Sequence, residues 1–126
     1  MAIYHCSISN VSRAKGSSSC ATLSYISADK VYEERTAQTY SYGRVERVLE
    51  VGTLIPENAP EEYRNPSVLF NSIENYEKAE NARTAKKIEV ALPREVALAE
   101  QKQIVEDYIR ENLTKERYAC TYAIHN

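Results

Sequence analysis

The sequence predicts an α+β domain: a mostly antiparallel sheet with helices packed on one side. Two observations carry this. Strand-like and helical segments alternate along the chain in the order β–α–β–α–β–α–β. The strand segments also alternate polar with apolar residues, and they lack the doubly apolar runs and glycine-rich strand-to-helix turns of a buried parallel sheet. At 126 residues there is length for one domain with a modest core, residues 1–126, of ferredoxin-like type.

Residues 2–9 open the chain as a half-buried strand. Ala2, Tyr4, Cys6 and Ile8 point one way, and Ile3, His5, Ser7 and Ser9 the other. A basic loop, Ser12-Arg13-Ala14-Lys15-Gly16, leads into Ser17–Lys30, read as a helix of about three to four turns. Serines crowd its start, where a hydroxyl can accept from an unpaired backbone N–H. Ala21, Ser24, Tyr25 and Ala28 recur at helical spacing and share a face that is small except for Tyr25. Val31–Arg35 extends this helix or frays, and residues 36–43 are β-prone with a turn at Gly43.

Val45–Ile55 is the second strand, with Gly52 marking a bulge, and Pro56, Asn58 and Pro60 close it with a loop. Asn65 caps the next helix and Pro66 takes its first position; Val68, Leu69, Ser72, Ile73, Tyr76 and Ala79 form its apolar face. Lys86–Leu92 is a strand with Ile88, Val90 and Leu92 toward the core and Glu89 and Ala91 away. Arg94–Leu113 is a long amphipathic helix with Ala97, Gln101, Ile104, Val105, Tyr108, Ile109 and Leu113 along its stripe. Tyr118–His125 ends the chain as a strand, Cys120, Tyr122 and Ile124 on one face and Ala119, Thr121, Ala123 and His125 on the other.

Bulk properties narrow the function classes. A net charge of −2 gives no global reason to expect nucleic acid, but residues 1–47 carry a local +2 and the remainder −4, which favours an anionic ligand near the amino-terminal third. Three cysteines without CxxC or Cys/His spacing exclude a disulfide scaffold and a zinc finger, and Cys6 and Cys120 read as small core hydrophobes. No apolar run nears the roughly 18 residues of a membrane span. The start carries no basic and apolar signal regions, so a cytoplasmic protein is expected.

The less apolar strand faces carry His5, Glu89 and His125, with Ala91, Ala119 and Ala123 as neighbours. In one sheet, these imidazoles and the carboxylate would project from the same side, a donor set for Mn²⁺ and less ideally Mg²⁺. A polar, partly solvated sheet face is the competing reading. Tyr25 likewise reads either as a surface tyrosine or as a phenol exposed for nucleophilic attack.

Taken together, Met1-Ala2-Ile3-Tyr4-His5, then Ser12-Arg13 and the small-residue run into Ser24-Tyr25, resemble the amino terminus of MobA/MobL relaxases. Ile88-Glu89-Val90-Ala91-Leu92-Pro93 resembles their E-x-A-L-P strand, and Tyr122-Ala123-Ile124-His125 their x-A-I-H strand. These enzymes nick one strand of plasmid DNA at a transfer origin. The resemblance implies that Tyr25 is the nucleophile, Glu89 the acidic residue beside the site, and His125 the first of three histidines holding a divalent metal, Mn²⁺ or Mg²⁺. The family's paired histidines would follow on the next strand, beyond Asn126. The chain is therefore expected to be the amino-terminal part of a relaxase domain, incomplete at its C-terminus and inactive alone. Arg13 and Lys15 are expected to contact DNA phosphates. Expected partners are single-stranded origin DNA and plasmid mobilisation accessory proteins. Two other readings stand beside this one: a non-catalytic DNA-binding accessory protein of the same fold, and a small α+β protein-interaction domain.

Overall fold

The computed structural model describes residues 6–126; the first part of the expected opening strand, His5 included, lies outside them. The elements are β1 (Cys6–Ser12), α1 (Ser19–Ser27), β2 (Lys30–Glu33), β3 (Gln38–Ser41), β4 (Val48–Leu54), α2 (Pro66–Tyr76), β5 (Arg83–Val90), α3 (Leu98–Asn112) and β6 (Cys120–His125). Among the described residues every strand pairing is antiparallel, as three ladders: β1 with β5, β2 with β3, and β4 with β6.

The helix α1 is shorter than the serine-rich stretch suggests. The Ser18 hydroxyl accepts from the amides of Cys20 and Ala21 and starts it. Ala28, with φ 61°, ends it in the left-handed conformation, its N–H bonded to the Ser24 carbonyl. Lys30-Val31-Tyr32-Glu33 then forms β2 instead of a helical extension. Its side chains alternate exposed and buried, and Val31 enters the core.

Among the described residues the buried apolar side chains form two small clusters. Cys20 and Leu23 of α1 and Val31 of β2 pack together with Tyr40 and Phe70. Ile109 of α3 packs on Tyr122 and Ile124 of β6, with Leu54, Leu92, Val105, Leu113 and Cys120 around them. Gly52 does not mark the bulge, which falls between Val48 and Glu50. It gives room to Tyr122: a Cβ there would lie 2.6 Å from the ring. The Tyr122 hydroxyl donates to Glu106 Oε2 at 2.6 Å, and burial followed by that carboxylate pushes its pKa up.

Several faces depart from the alternation pattern. Cys6 and Ile8 stand opposite Val90 and Ile88, and this apolar face is open to solvent among the described residues, Ile8 being 64 % exposed. Cys6 is thus not a core residue, and Ile88 and Val90 do not face the core. Period two separates two faces of a ladder but does not say which is covered. Tyr76 and Tyr108 are likewise exposed, while α2 turns Asn71 and Glu74 inward. Asn71 acts as a strand partner for β2: its Nδ2 donates to the Tyr32 carbonyl at 2.7 Å and its Oδ1 accepts from the Glu34 amide at 2.8 Å.

Candidate active site

The site is built outward from the last turn of α1. Tyr25 projects from it with a 56 % exposed side chain. Lys87 of β5 places its ammonium 5.4 Å from the Tyr25 ring centroid, a cation–π contact. His125, the last residue of β6, lies with Nε2 2.7 Å from the carbonyl oxygen of Ile26, the residue after Tyr25. A carbonyl only accepts, so Nε2 carries the proton in this contact, and Nδ1 is the nitrogen left with a lone pair in the neutral ring. Glu89 stands opposite Ser7, two residues beyond Lys87, and so leaves β5 on the face that reaches Tyr25. The fold therefore brings Tyr25 and His125 to one helix end, with Lys87 against the phenol and Glu89 on the adjoining strand face. Glu89 and His125 lie in separate ladders, not on neighbouring strands.

Lys15 is exposed in the turn ahead of α1. Arg13, expected to contact a DNA phosphate, instead turns its guanidinium inward. Its guanidinium, 8 % exposed, bonds Glu74 Oε1 at 2.8 Å and the carbonyls of Glu74, Glu77 and Ala79. Glu74 is fully buried, and its second oxygen accepts from the Ser19 amide and hydroxyl at 2.8 and 2.7 Å. Burial alone would raise this carboxyl's pKa. The Ser19 and Arg13 hydrogen bonds outweigh burial and hold it below the usual range. Glu33, also fully buried, accepts from Ser18 and Thr36 at 2.5 and 2.7 Å. Two carboxylates thus sit at the N-terminus of the tyrosine helix, where the backbone N–H groups and helix dipole favour negative charge. Burial, then these two charges, push the Cys20 thiol up to about 12, so it stays neutral.

An open cleft of about 360 Å³ runs along α1 beside Tyr25. Ala21, Thr22 and Tyr25 line it on the helix, Gly16 to Ser18 close one end, and Tyr40, Tyr42 and Lys87 complete it. Tyr40 and Tyr42 are adjacent, with ring centroids 5.8 Å apart and planes tilted by 37°. Sequence reasoning missed all three. The signals were present: Lys87 shares its strand face with Glu89, and the i, i+2 spacing of the tyrosines sets both rings to one side.

The loop after β3 locks this end of α1. The fully buried Ser24 hydroxyl donates to the Asp29 carbonyl at 2.7 Å and accepts from the Tyr42 amide at 2.9 Å. Gly43, at φ +85°, passes so close that a Cβ would stand 2.5 Å from the Tyr25 carbonyl. The left-handed conformation costs a non-glycine residue about 1–2 kcal/mol. Overpacking against fixed backbone adds about 1–3 kcal/mol. Gly43→Ala is therefore expected to destabilise the chain by about 2–4 kcal/mol in urea titration, and a loss below about 0.5 kcal/mol would show that the loop is not held there.

Among the described residues no three His, Cys, Asp or Glu side chains gather closely enough to hold a metal ion. His125 by itself is one donor, too few for a structural or catalytic centre. The described residues alone do not fit such a site. No helix is long and apolar enough to cross a membrane.

The model of the MobA/MobL family matches residues 17–126. A probable mobilization protein MobA of Bifidobacterium longum is 60% identical over the whole chain, which spans 22% of that relative. A probable conjugal transfer protein TraA of Sinorhizobium fredii is 26% identical, the chain covering 12% of it. A mobilization protein MobL of Acidithiobacillus ferridurans is 27% identical over 99% of the chain and 32% of its own length. Among solved structures, one described as "Molecular Basis of Vancomycin Resistance Transfer in Staphylococcus aureus" aligns with a TM-score of 0.81 at 22% identity, over 87% of this chain and 56% of that one. The fold is shared with that chain. The chain spans between 12% and 32% of the length of these three curated relatives.

Proposed function

Because the chain belongs to the MobA/MobL family, we propose that it carries the nucleophile of a mobilisation relaxase, which nicks single-stranded DNA at a transfer origin through Tyr25. The observation that carries this reading is the exposed phenol on the helix end that His125 also touches. Tyr25 Oη attacks the scissile phosphorus, the bond from phosphorus to the 3′ oxygen breaks, and the DNA is left with a 5′-phosphotyrosine and a free 3′-hydroxyl. The phenol's proton reaches the leaving oxygen through solvent. One phosphodiester replaces another, so the step is close to isoenergetic and can run backward to reseal the strand.

The chain's other groups have supporting parts. Lys87, against the phenol ring, supplies positive charge for the incoming phosphate and for the phenolate that forms as the hydroxyl gives up its proton and that attack consumes. Lys15 lies in the exposed basic turn ahead of α1 and adds phosphate contact there. Glu89, on the face shared with Lys87, orients groups at the reacting phosphate. A divalent cation, Mn²⁺ or Mg²⁺, would supply charge neutralisation on that phosphate in the complete domain, with His125 as one of its ligands. The complete relaxase would act in the cytoplasm, on plasmid DNA and alongside mobilisation accessory proteins.

The test uses the full-length protein, Mn²⁺ and a labelled single strand carrying its transfer origin. A protein–DNA adduct whose phosphorylated peptide contains Tyr25 is the expected result. Nicking that leaves a free 5′-phosphate, or an adduct on another residue, would overturn the proposal.

A further inference from the structure

We infer that the cleft beside Tyr25 is a nucleotide subsite, in which a base next to the scissile phosphate stacks on Tyr42 while Lys87 holds a flanking phosphate. The inference rests on the relaxase reading of Tyr25, and it adds a binding role for one aromatic residue and one lysine. Tyr42 is 52 % exposed at the rim of the cleft, whereas Tyr40 is half-buried and packs against the core of Cys20, Leu23 and Val31. The inner ring is thus fixed by the core, and its hydroxyl is tied to Gln38 Oε1 at 2.8 Å. The outer ring rests beside it at 5.8 Å. The Tyr42 backbone is in turn anchored through its amide to the buried Ser24 hydroxyl of α1. An aromatic surface held by both its ring neighbour and its backbone is preorganised, so little is lost in ordering it when a base arrives.

The helix wall of the cleft is small. Ala21 and Thr22 line it, leaving width for a planar ring, and the volume of about 360 Å³ lies within the range of small-ligand sites. Lys87 stands at the same cleft and against Tyr25, so a phosphate it holds is adjacent to the attacking oxygen. Aromatic stacking with one cation is the chemistry by which single strands are held without reading sequence, because every base offers a π face. The subsite is therefore expected to position the strand, not to select the origin.

The experiment compares binding of fluorescent oligothymidylate with that of an abasic strand of the same length and charge, measured by anisotropy on the 126-residue chain. The unmodified chain should prefer the strand with bases. Tyr42→Ala should weaken oligothymidylate binding about 5- to 150-fold, the worth of one base–aromatic stack, and leave the abasic strand unaffected. Tyr42→Phe should retain the preference. Lys87→Gln should weaken both strands and lower the salt dependence by about one phosphate contact. Equal loss on both strands for Tyr42→Ala, no loss on either, or no preference in the unmodified chain would each overturn the inference. Thermal melts of Tyr42→Ala separate a stacking loss from unfolding, since the ring lies outside the core. The adduct assay on Tyr25 is an independent readout: base-dependent binding without an adduct would retain the subsite and reject the nucleophile, and the reverse result would do the opposite.

Discussion

Tyr25→Phe is expected to abolish the covalent adduct in the full-length protein and to leave single-strand binding largely intact, since only the hydroxyl is removed. Tyr32→Phe is expected to form adduct normally. Tyr32 is also exposed, so accessibility does not separate the two. Their surroundings do. Tyr32 lies on β2 at a second cleft of about 440 Å³ whose lining includes Glu34 and Glu62 and no Lys or Arg. A phosphodiester entering there meets like charge. Tyr25 has the Lys87 ammonium against its ring and His125 at the next peptide group. The measurement is denaturing electrophoresis of the adduct for each variant. Adduct formed by Tyr25→Phe but not by Tyr32→Phe would reverse the assignment.

The second large effect concerns stability. Glu74→Ala removes the counter-charge of a buried guanidinium and the acceptor of the Ser19 amide and hydroxyl. Breaking a buried pair from one side costs about 3–5 kcal/mol, because the remaining charge is left uncompensated. Arg35, with Nε 3.9 Å from the same carboxylate, loses a weaker partner as well. The pH dependence follows from the sign of the shift. The folded pKa of Glu74 is depressed, so its stabilising contribution is fully present above the unfolded carboxylate value near ~4.3. It is lost as pH falls through the lower, folded value. Urea midpoints should therefore fall more steeply with acid in the native sequence than in Glu74→Gln, which starts lower and lacks this titration. Parallel acid dependence in the two proteins would show that Glu74 does not carry the effect.

Much of this architecture was legible from local patterns. The Asn65-Pro66 start of α2, the serine start of α1 and the inward face of β6 each follow from capping or alternation, which a few neighbouring residues determine. Tyr25 and His125 could be singled out, but their proximity could not, because it depends on how β6 approaches α1. The buried polar residues were the least legible. Glu74, Asn71 and Arg13 look like solvated side chains in sequence, and become interior only because each finds partners between 37 and 66 positions away. Arg13 reads as a ligand contact in sequence for this reason: a basic loop beside a nucleophile has the composition of a phosphate site, whichever way its guanidinium points. The same limit applied to β1 and β5, where the apolar side of the ladder is the open one.

The hydrogen bond between His125 and Ile26 joins residues 99 positions apart. Almost everything that shapes the tyrosine's own surroundings, from the Ser18 cap to the Gly43 turn, is contained in a short local stretch, with Lys87 and the Glu74 anchor arriving later in the chain. Closing a long loop carries a chain-entropy cost that local contacts avoid, and long-range contacts of this kind slow folding. During synthesis, the phenol's helix and hairpin leave the ribosome well before the imidazole exists. β6, which carries the histidine and pairs with β4, is the last of the described elements to be made, so contact between the two groups has to wait for it.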